Sequence, residues 1–297
     1  MYDLIIIGAG PAGLTAGIYA LRANLKVLIL EKEQIGGMIA STPKIENYPG
    51  FTSISGAEFA NNLYEQVDKL GADLEIEEVI SIKPGKIKEV VTEDNTYKAK
   101  AVIIAAGSKF RMLGVDRETD LIGNGISFCT SCDGAFFKGQ DVAVVGGANT
   151  AVTNAIYMSK IANKVYLICR KDKLRSEEKL IDEIKTIDNV EIIYNSEVKE
   201  LLGDNELEGI IINQDGKERK IDITGMFVSI GMDSGLEMDL DFLNLNANKY
   251  IVSDDCMTKE EGIFVAGDCR EKTVRQLTTA VSDGTIAAMH VINYLRW

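Results

Sequence analysis

The chain has 297 residues, of which 46% are hydrophobic and 26% charged, the balance of an ordinary globular protein. A net charge of −13 argues against a general nucleic-acid-binding surface. The five cysteines include one close pair, and a chain this long needs no disulfide staples, so we expect a reducing, cytoplasmic setting rather than a secreted scaffold. The single histidine, His290, rules out multi-histidine metal sites, and we expect it to be structural. The uncharged run from Leu4 to Leu21 divides into a strand, a glycine turn and a helix, which argues against a membrane span.

The first predicted unit is a strand, a glycine turn, a helix and a second strand. The apolar run Leu4–Ile7 is the first strand, the helix extends to about Ala23, and the second strand, Lys26–Leu30, leads into Glu31. The turn reads Gly8-Ala9-Gly10-Pro11-Ala12-Gly13. Strand, turn, helix and terminal acid together indicate a dinucleotide-binding fold.

Each glycine of this turn has a distinct expected role. Gly8 allows the tight turn, Gly10 lets the backbone approach a pyrophosphate, and Gly13 lets the helix pack against the strand. The helix N-terminus stabilises the phosphate charge. Glu31 lies 23 residues after Gly8, where a carboxylate accepts hydrogen bonds from an adenosine ribose. The alternative is a glycine-rich turn without a ligand.

The region between the first unit and the cysteine pair contains one predicted helix and several strands. Gly36-Gly37 and Glu46-Asn47-Tyr48-Pro49-Gly50 are loop segments, and residues 56–70 have the apolar spacing of an amphipathic helix. Residues 74–106 have a β pattern, and the last strand, Ala101–Ala106, is followed by Gly107.

The close cysteine pair is Cys129 and Cys132, followed directly by Asp133. A Cys-x-x-Cys pair beside a nucleotide-binding unit suggests a redox dithiol. A structural zinc site is the alternative, but it needs four ligands, usually as two close pairs, and the chain has no second close pair. We therefore predict no metal site.

A second strand–turn–helix unit follows the cysteines. Asp141–Val145 is the strand, Gly146-Gly147-Ala148 the turn, and the helix extends from Asn149 to about Ala162. Its glycine turn comes 138 positions after the first, which indicates a duplicated dinucleotide fold.

The next strand of this second unit, Val165–Ile168, ends differently from its counterpart in the first. It leads into Cys169-Arg170-Lys171, with Arg175 four residues further on. Basic residues in place of an acid favour a 2′-phosphate, hence NADP over NAD. The alternative is a solvated basic patch.

The remaining pattern is β-rich until a C-terminal helix. Strands are predicted at 190–194, 207–213 and 225–230, and the last strand, Ile263–Ala266, ends in Gly267-Asp268. Arg275-Gln276 then open a helix that extends to about Leu295. A strand that ends in Gly-Asp aims a carboxylate and a helix N-terminus at a cofactor.

Taken together, these motifs resemble the low-molecular-weight, bacterial-type thioredoxin reductases, a flavoprotein disulfide reductase family. The resemblance covers essentially the whole chain. The matching segments are Gly8–Gly13 with Glu31, Glu46–Gly50, Cys129–Gly134, Phe264–Asp268 and Arg275–Thr278.

The resemblance implies an α/β fold of two Rossmann-like, three-layer ββα dinucleotide-binding domains, the second inserted in the first. Residues 1–111 and 241–297 would form the FAD domain, and residues 112–240 the pyridine-nucleotide domain that carries the dithiol. The two domains would rotate about hinges near 110–115 and 232–240, and the protein would be a homodimer. The implied FAD contacts are Gly8, Gly10, Pro11, Ala12, Gly13, Glu31, Gly36, Gly37, Asn47, Gly107, Gly267, Asp268, Arg275, Gln276 and Leu277. The implied NADPH contacts are Gly146, Ala148, Asn149, Thr150, Arg170, Lys171 and Arg175.

The resemblance also implies a mechanism. NADPH would reduce FAD, and the reduced flavin would attack the disulfide at Cys132. Asp133 would protonate the leaving thiolate. Cys129 would then attack the disulfide of thioredoxin, or of a thioredoxin-like protein, and Cys132 would resolve the mixed disulfide.

The nicotinamide half departs from the family pattern at several positions. Ala148 stands where the family has glycine, Cys169-Arg170-Lys171 where it has His-Arg-Arg, Thr153-Asn154 where it has a Glu-Glu pair, and residues 231–235 where it has Gly-x-x-Pro-Asn. Two alternatives therefore stand beside NADPH. Reduced ferredoxin is an energetically allowed donor. Its reduction potential of about −400 mV is roughly 130 mV more negative than that of thioredoxin, so electron transfer to thioredoxin is favourable by about 6 kcal/mol. A non-catalytic flavin-bound redox sensor is the third hypothesis.

Overall fold

In the computed structural model, which describes residues 1–296, the chain forms two compact units. Residues 1–109 and the chain from 233 onward form the first unit, and residues 110–232 form the second, which is inserted in the first. The strands are β1 (Tyr2–Ile7), β2 (Val27–Glu31), β3 (Asp73–Ile76), β4 (Val79–Lys83), β5 (Lys88–Thr92), β6 (Thr96–Ile104), β7 (Ser108–Phe110), β8 (Ile126–Ser127), β9 (Asp141–Val145), β10 (Lys164–Ile168), β11 (Val190–Ile193), β12 (Ser196–Leu202), β13 (Gly209–Gln214), β14 (Lys217–Ile221), β15 (Gly225–Val228), β16 (Met232–Ser234) and β17 (Ile263–Val265). The helices are α1 (Pro11–Arg22), α2 (Gly56–Lys69), α3 (Thr130–Asp133), α4 (Asn149–Ser159), α5 (Glu178–Lys185) and α6 (Leu277–Leu295).

The first unit is built on a sheet in the order β3-β2-β1-β6-β5-β4, with β17 also paired to β6. Strands β3, β2, β1, β6 and β17 run parallel, whereas β5 pairs antiparallel with both of its neighbours, β6 and β4. Because side chains alternate along a strand, β1 supplies both faces of the core. Leu4 and Ile6 pack with α1 and α6 on one face, and Ile5 and Ile7 pack with β4 and β17 residues on the other.

Helices α1 and α6 approach each other closely, and glycine permits this. A Cβ on Gly284 of α6 would lie 2.2 Å from the carbonyl oxygen of Ala12 in α1. A Cβ on Gly13 would lie 1.9 Å from the carbonyl oxygen of Gly8. Helix α1 therefore packs directly on the glycine turn, which keeps its N-terminus at the carboxyl end of β1.

The second unit repeats this arrangement. Its main sheet has the order β11-β10-β9-β15-β8, and all its pairs are parallel. A three-stranded antiparallel sheet, β12-β13-β14, accompanies it. The buried side of α4 packs on β9 and β10 through Ala151, Val152, Ala155 and Met158. A glycine turn again lies between a strand, β9, and a helix, α4, as the sequence repeat predicts.

The boundaries between the units differ from the predicted ones. The chain returns from the second unit to the first between residues 232 and 233, earlier than the predicted boundary between 240 and 241. The reason is that Leu240 and Leu243 are buried in the core of the first unit. The backbone N–H of Asp239 also donates to the carbonyl of Ile80 in that unit. The chain passes from the first unit to the second between residues 109 and 110, close to the predicted boundary between 111 and 112.

The predicted hinge segments are tied within each unit. In the first unit the N–H of Gly235 donates to the carbonyl of Gly107 (3.1 Å), and in the second the N–H of Arg111 donates to the carbonyl of Gly231 (3.1 Å). The carboxylate of Glu118 accepts hydrogen bonds from the backbone N–H groups of the preceding residues 113 and 114. Within residues 1–296, no helix is both long and apolar enough to cross a membrane.

Candidate active site

Cys129 and Cys132 form a disulfide in the second unit, with their Cα atoms 5.3 Å apart. Strand β8 ends two residues before Cys129, and the short helix α3 begins directly after it. Cys129 occupies the N-cap position, where its sulfur accepts a hydrogen bond from the N–H of Cys132 (3.2 Å). A backbone N–H donor at a helix start stabilises a cysteine thiolate, which is the form that reacts in disulfide exchange.

Asp133 directly follows the second cysteine and is held by Ser127. The Ser127 hydroxyl donates to Oδ2 of Asp133 (2.6 Å) and accepts the N–H of Cys129 (3.1 Å). Burial raises the pKa of Asp133, and the hydrogen bond from Ser127 partly opposes that shift. The carboxyl group therefore keeps a proton to higher pH than an exposed aspartate does, which suits a proton donor beside a thiolate.

Thr130, the residue between Cys129 and Ser131, is tied to helix α4. Its hydroxyl donates to Oδ1 of Asn154 (2.8 Å), and Nδ2 of Asn154 donates to the hydroxyl of Ser229 (2.8 Å). In the sequence, Asn154 stands out only as a departure from the family pattern. Its position on the helix could have indicated a buried contact, because Asn154 falls on the same helix face as Ala151 and Met158, which are fully buried.

The glycine turn of the first unit is tied to Glu31 at the end of β2. Oε2 of Glu31 accepts the N–H of Ala9 (2.7 Å) within the turn. Gly8 has a φ of 107°, and a Cβ there would lie 2.4 Å from a backbone oxygen. A Cβ on Gly10 would meet nothing within 4 Å. The turn is thus closed on its strand side and open at Gly10, as a backbone that receives a pyrophosphate must be.

Asp268 presents a buried carboxylate oxygen that has an ion pair but no hydrogen-bond partner in the described part of the chain. Its Oδ1 makes no hydrogen bond, and the ammonium of Lys272 lies 3.6 Å away. Burial raises the pKa of Asp268, and Lys272 opposes the shift. An orphaned buried acceptor beside a helix N-terminus fits a ligand hydroxyl, such as one of the ribityl chain of FAD.

Arg275, a predicted FAD contact, binds the loop that precedes it. Its guanidinium donates to the backbone carbonyls of residues 268, 270 and 272, and it stacks over the ring of Tyr250 at 4.1 Å. The side chain therefore holds the loop that carries Asp268. Helix α6 begins at Leu277, one residue after the predicted start, because Gln276 forms a capping box with Thr279.

The other predicted FAD positions lie on loops of the first unit. The N–H of Gly36 donates to the carbonyl of Ala9 in the glycine turn (2.8 Å). Gly37 begins a 3₁₀ turn, and Asn47 is exposed on the loop between the paired residues Ile45 and Ile54. Pro11 and Ala12 open helix α1, Gly107 follows β6, and Gly267 follows β17 after one residue.

The glycine turn of the second unit is also closed on its strand side. A Cβ on Gly146 would lie 2.4 Å from the carbonyl oxygen of Ser229, and one on Gly147 would lie 2.5 Å from the sulfur of Cys169. Ala148 is the exposed N-cap of α4. Asn149, the first helical residue, accepts hydrogen bonds through Oδ1 from the hydroxyl of residue 176 and the N–H of residue 177. Its neighbour Thr150 is exposed.

The predicted basic residues of the second unit are exposed near this turn. The N–H of Arg175 donates to the carbonyl of Gly147 (2.7 Å), which keeps the 175 segment beside the glycine turn. Arg170 and Lys171 are also exposed, after the end of β10, and Arg170 makes one long ion pair to Glu197 (3.8 Å). These cations are available to a 2′-phosphate.

Comparison with known proteins agrees with this geometry. The family model described as pyridine nucleotide-disulphide oxidoreductase matches residues 2–284. The chain belongs to the pyridine nucleotide-disulphide oxidoreductase family. A thioredoxin reductase of Bacillus subtilis (strain 168) is 44% identical over 305 residues, covering 99% of this chain and 95% of the relative. A "34.2 kDa protein in rubredoxin operon" of Clostridium pasteurianum is 43% identical, covering 99% and 97% of the two chains.

Solved structures support the same family. A thioredoxin reductase structure from Streptococcus pyogenes MGAS5005 has a TM-score of 0.97 and 42% identity, and the match covers 100% of this chain and 98% of that one. This likeness confirms the predicted class, an α/β protein with two Rossmann-like nucleotide-binding domains.

This pyridine nucleotide-disulphide oxidoreductase has one more charged cluster that sequence reasoning missed. Oδ2 of buried Asp283 accepts the N–H of Gly267 (3.1 Å) and the ammonium of Lys272 (2.9 Å), and Arg270 lies 3.3 Å away. Asp283 thus binds residues on both sides of Asp268 and stabilises the loop that carries it. An acid within the apolar stretch of α6 is the signal that could have found it.

The three remaining cysteines are free and buried. Burial raises the pKa of Cys256 and of Cys269 to about 12, so both stay as unreactive thiols. His290 is on helix α6. Its Nε2 lies 3.1 Å from Oδ2 of Asp255, and its ring stacks on the ring of Phe264.

Proposed function

We propose that the protein is a thioredoxin reductase that passes electrons from NADPH, by way of FAD and the Cys129/Cys132 dithiol, to the disulfide of thioredoxin or a thioredoxin-like protein. One observation carries the proposal. The Cys129–Cys132 disulfide, with Asp133 directly after it, lies in a nucleotide-binding unit that is inserted in a second nucleotide-binding unit. The relatives of B. subtilis and S. pyogenes, which are matched over almost their whole length, are named thioredoxin reductases.

The first unit offers a fitting site for FAD. Gly10 leaves space for a pyrophosphate, Glu31 presents a carboxylate to a ribose, and Asp268 has an orphaned buried acceptor. The N-termini of α1 and α6 provide N–H groups without intrahelical partners. When bound, FAD supplies the electron pair that reduces the disulfide.

The dithiol residues have separate roles. Two electrons cleave the disulfide, and Asp133 gives its proton to the departing Cys129 sulfur, so that a Cys132 thiolate and a Cys129 thiol remain. The Asp133 carboxylate then takes this proton back, and the Cys129 thiolate attacks a sulfur of the partner disulfide, which releases one partner thiolate and forms a mixed disulfide. The Cys132 thiolate attacks Cys129, re-forms the internal disulfide and releases the second partner thiolate. Asp133 ends the cycle protonated.

The second unit provides the NADPH site in this proposal. The N-terminus of α4, from Ala148 to Thr150, faces the pyrophosphate. Arg170, Lys171 and Arg175 are exposed, and the segment of Arg175 is hydrogen-bonded to the glycine turn. Reduced ferredoxin, the alternative donor raised by the sequence, has no support among these relatives. The redox-sensor hypothesis has none either.

An anaerobic titration of the FAD-loaded protein tests the donor. Two equivalents of NADPH, one for FAD and one for the disulfide, should bleach the visible flavin absorbance, and subsequent oxidised thioredoxin should restore it. A matched sample receives reduced ferredoxin in place of NADPH. Full bleaching by ferredoxin with none by excess NADPH would overturn the choice of donor but keep the disulfide reductase. Bleaching by NADPH that thioredoxin does not reverse would overturn the choice of acceptor.

We also propose a cytoplasmic homodimer, from the family resemblance and from the three buried free thiols, which suit a reducing compartment. Light scattering of the FAD-loaded chain tests the dimer. A mass equal to that of one 32.5 kDa chain would refute it.

A further inference from the structure

Helix α4 and the turn that carries the dithiol are linked by a three-residue hydrogen-bond chain. Thr130, flanked by Cys129 and Ser131, donates to Asn154 on α4, and Asn154 donates to Ser229 at the end of β15, each at 2.8 Å. We propose that Asn154 is a positioning residue for the redox dithiol, acting through Thr130. The inference deepens the proposed function and rests on it for its catalytic meaning.

Burial makes this chain of hydrogen bonds energetically important. Thr130 is 4% exposed and Ser229 is 8% exposed, so water competes poorly for either hydroxyl. A buried polar group that loses its partner bears its full desolvation cost. The amide of Asn154 has both its oxygen and its nitrogen engaged, which fixes the side chain between the two hydroxyls.

The turn is also packed on α4 next to this hydrogen bond. A Cβ on Gly134 would lie 2.9 Å from the sulfur of Met158 and 3.3 Å from the ring of Tyr157. Gly134 therefore brings the end of the Cys129–Asp133 turn against the helix, and Asn154 fixes the start of the turn one helical repeat earlier. The turn is held at two points on one helix face.

Ser229 extends the chain to the nucleotide turn of the same unit. Its N–H donates to the carbonyl of Val145 (2.8 Å), at the end of β9, and its own carbonyl lies where a Cβ on Gly146 would collide at 2.4 Å. The dithiol turn is therefore anchored, through Ser229, at the carboxyl ends of strands β9 and β15 of the parallel sheet.

This anchor affects the thiol–disulfide equilibrium. In the reduced protein no covalent bond joins the two sulfurs, so re-forming the disulfide requires the turn to be closed again. A turn already fixed through Thr130 loses little conformational freedom on closure, whereas a released turn loses more. The anchor thus favours the disulfide and makes the dithiol a stronger reductant toward its partner.

Asn154 carries a neutral amide rather than a carboxylate. Oδ1 of Asn154 accepts the Thr130 hydroxyl without adding a negative charge near the thiols. The positioning function is therefore separate from any electrostatic effect on the thiolates. It is tested by removing the Thr130 hydroxyl, which leaves every charge unchanged.

The test is the equilibrium of the FAD-loaded full-length protein with glutathione, in which the dithiol and glutathione disulfide exchange to give the protein disulfide and two molecules of reduced glutathione. Alkylation and mass spectrometry of the Cys129–Cys132 peptide report the reduced fraction. Thr130→Val removes the hydroxyl and keeps the shape, and Thr130→Ser restores the hydroxyl as a matched control.

We expect Thr130→Val to shift the equilibrium about fivefold toward the dithiol, which for a two-electron couple is roughly 20 mV. Asn154→Ala should shift it in the same direction and by a similar factor, which keeps the proposal testable if one variant folds poorly. Thr130→Ser should stay within about twofold of the wild type. A wild-type equilibrium in Thr130→Val, or equal shifts in Thr130→Val and Thr130→Ser, would overturn the proposal.

The outcome is distinguishable from failure of the proposed function. Glutathione reads the dithiol directly and needs neither NADPH nor thioredoxin. A wild-type protein that equilibrates with glutathione but does not reduce thioredoxin would refute the proposed acceptor and leave the positioning inference intact.

Discussion

The hydrogen bond from Ser127 to Asp133 has a consequence that pH measurements can detect. Ser127→Ala removes the hydroxyl that donates to the carboxylate at 2.6 Å. A hydrogen bond to a charged group contributes about 1.5–3 kcal/mol, and the lower end applies because Asp133 is only partly buried. At 1.36 kcal/mol per unit, the pKa of Asp133 should rise by about one unit beyond its already raised value.

The assay is the pH dependence of thioredoxin reduction. The protonated carboxyl group supplies the proton for the departing sulfur, so the rate should fall on the alkaline side as Asp133 ionises. In Ser127→Ala that fall should occur about one pH unit higher, because the variant lacks the hydrogen bond that stabilises the ionised carboxylate. Ser127→Thr keeps a hydroxyl and is the matched control. The reasoning fails if the alkaline limb of Ser127→Ala coincides with the wild type, or if the same limb persists in Asp133→Asn.

Four further predictions concern folding and ligand affinity. Gly13→Ala places a Cβ 1.9 Å from a backbone oxygen and should abolish the cooperative thermal transition of the first unit, whereas Gly10→Ala, whose Cβ meets nothing within 4 Å, should melt like the wild type but bind FAD more weakly in a fluorescence titration. Ala148→Gly should lower the KM for NADPH severalfold at unchanged kcat, since it frees the approach to the N-terminus of α4; an unchanged KM would show that the methyl group is harmless. Glu118→Ala leaves two backbone N–H groups without their acceptor and should lower the free energy of unfolding of the second unit by about 2–3 kcal/mol in urea, with Glu118→Gln in between. A lysine ammonium and a backbone N–H hold the pKa of Asp3 below its usual value, so its contribution to stability is present above the unfolded-state pKa and is lost as pH falls through the folded-state pKa; Asp3→Asn should remove that part of the acid sensitivity, measured as melting temperature against pH.

The nucleotide-binding units were predictable because their signals are local. A buried strand, a glycine turn and a helix N-terminus follow one another within about twenty residues, and each glycine has a role that its place in the turn determines. Gly8 and Gly13 show this directly, because a Cβ on either would collide with backbone oxygens of the turn or of the neighbouring strand's end. The Cys129–Cys132 spacing was equally local, and the structure joins the two sulfurs.

The partners of the site residues were not predictable, because they are brought together by the tertiary fold. Thr130 meets Asn154 and Asn154 meets Ser229 across 24 and 75 residues of sequence. The resemblance gives Arg275 only as an FAD contact, and the sequence carries no signal for the three carbonyls that its planar guanidinium binds in the loop before it.

The second domain boundary shows the same limit. Acidic and glycine-rich composition near residues 232–240 indicated a linker, but Leu240 contributes to the core of the first unit. Composition reports which residues are polar, whereas a boundary depends on which core the few apolar residues join.

The central claim is that electrons leave this protein through Cys129. Its most direct test is to count the thiols formed on thioredoxin for each NADPH consumed by the FAD-loaded wild type and by Cys129→Ser. The wild type should open one thioredoxin disulfide per NADPH, and Cys129→Ser should retain bleaching of the flavin by NADPH but form no thioredoxin thiols. Thiol formation by Cys129→Ser at the wild-type rate would contradict the account.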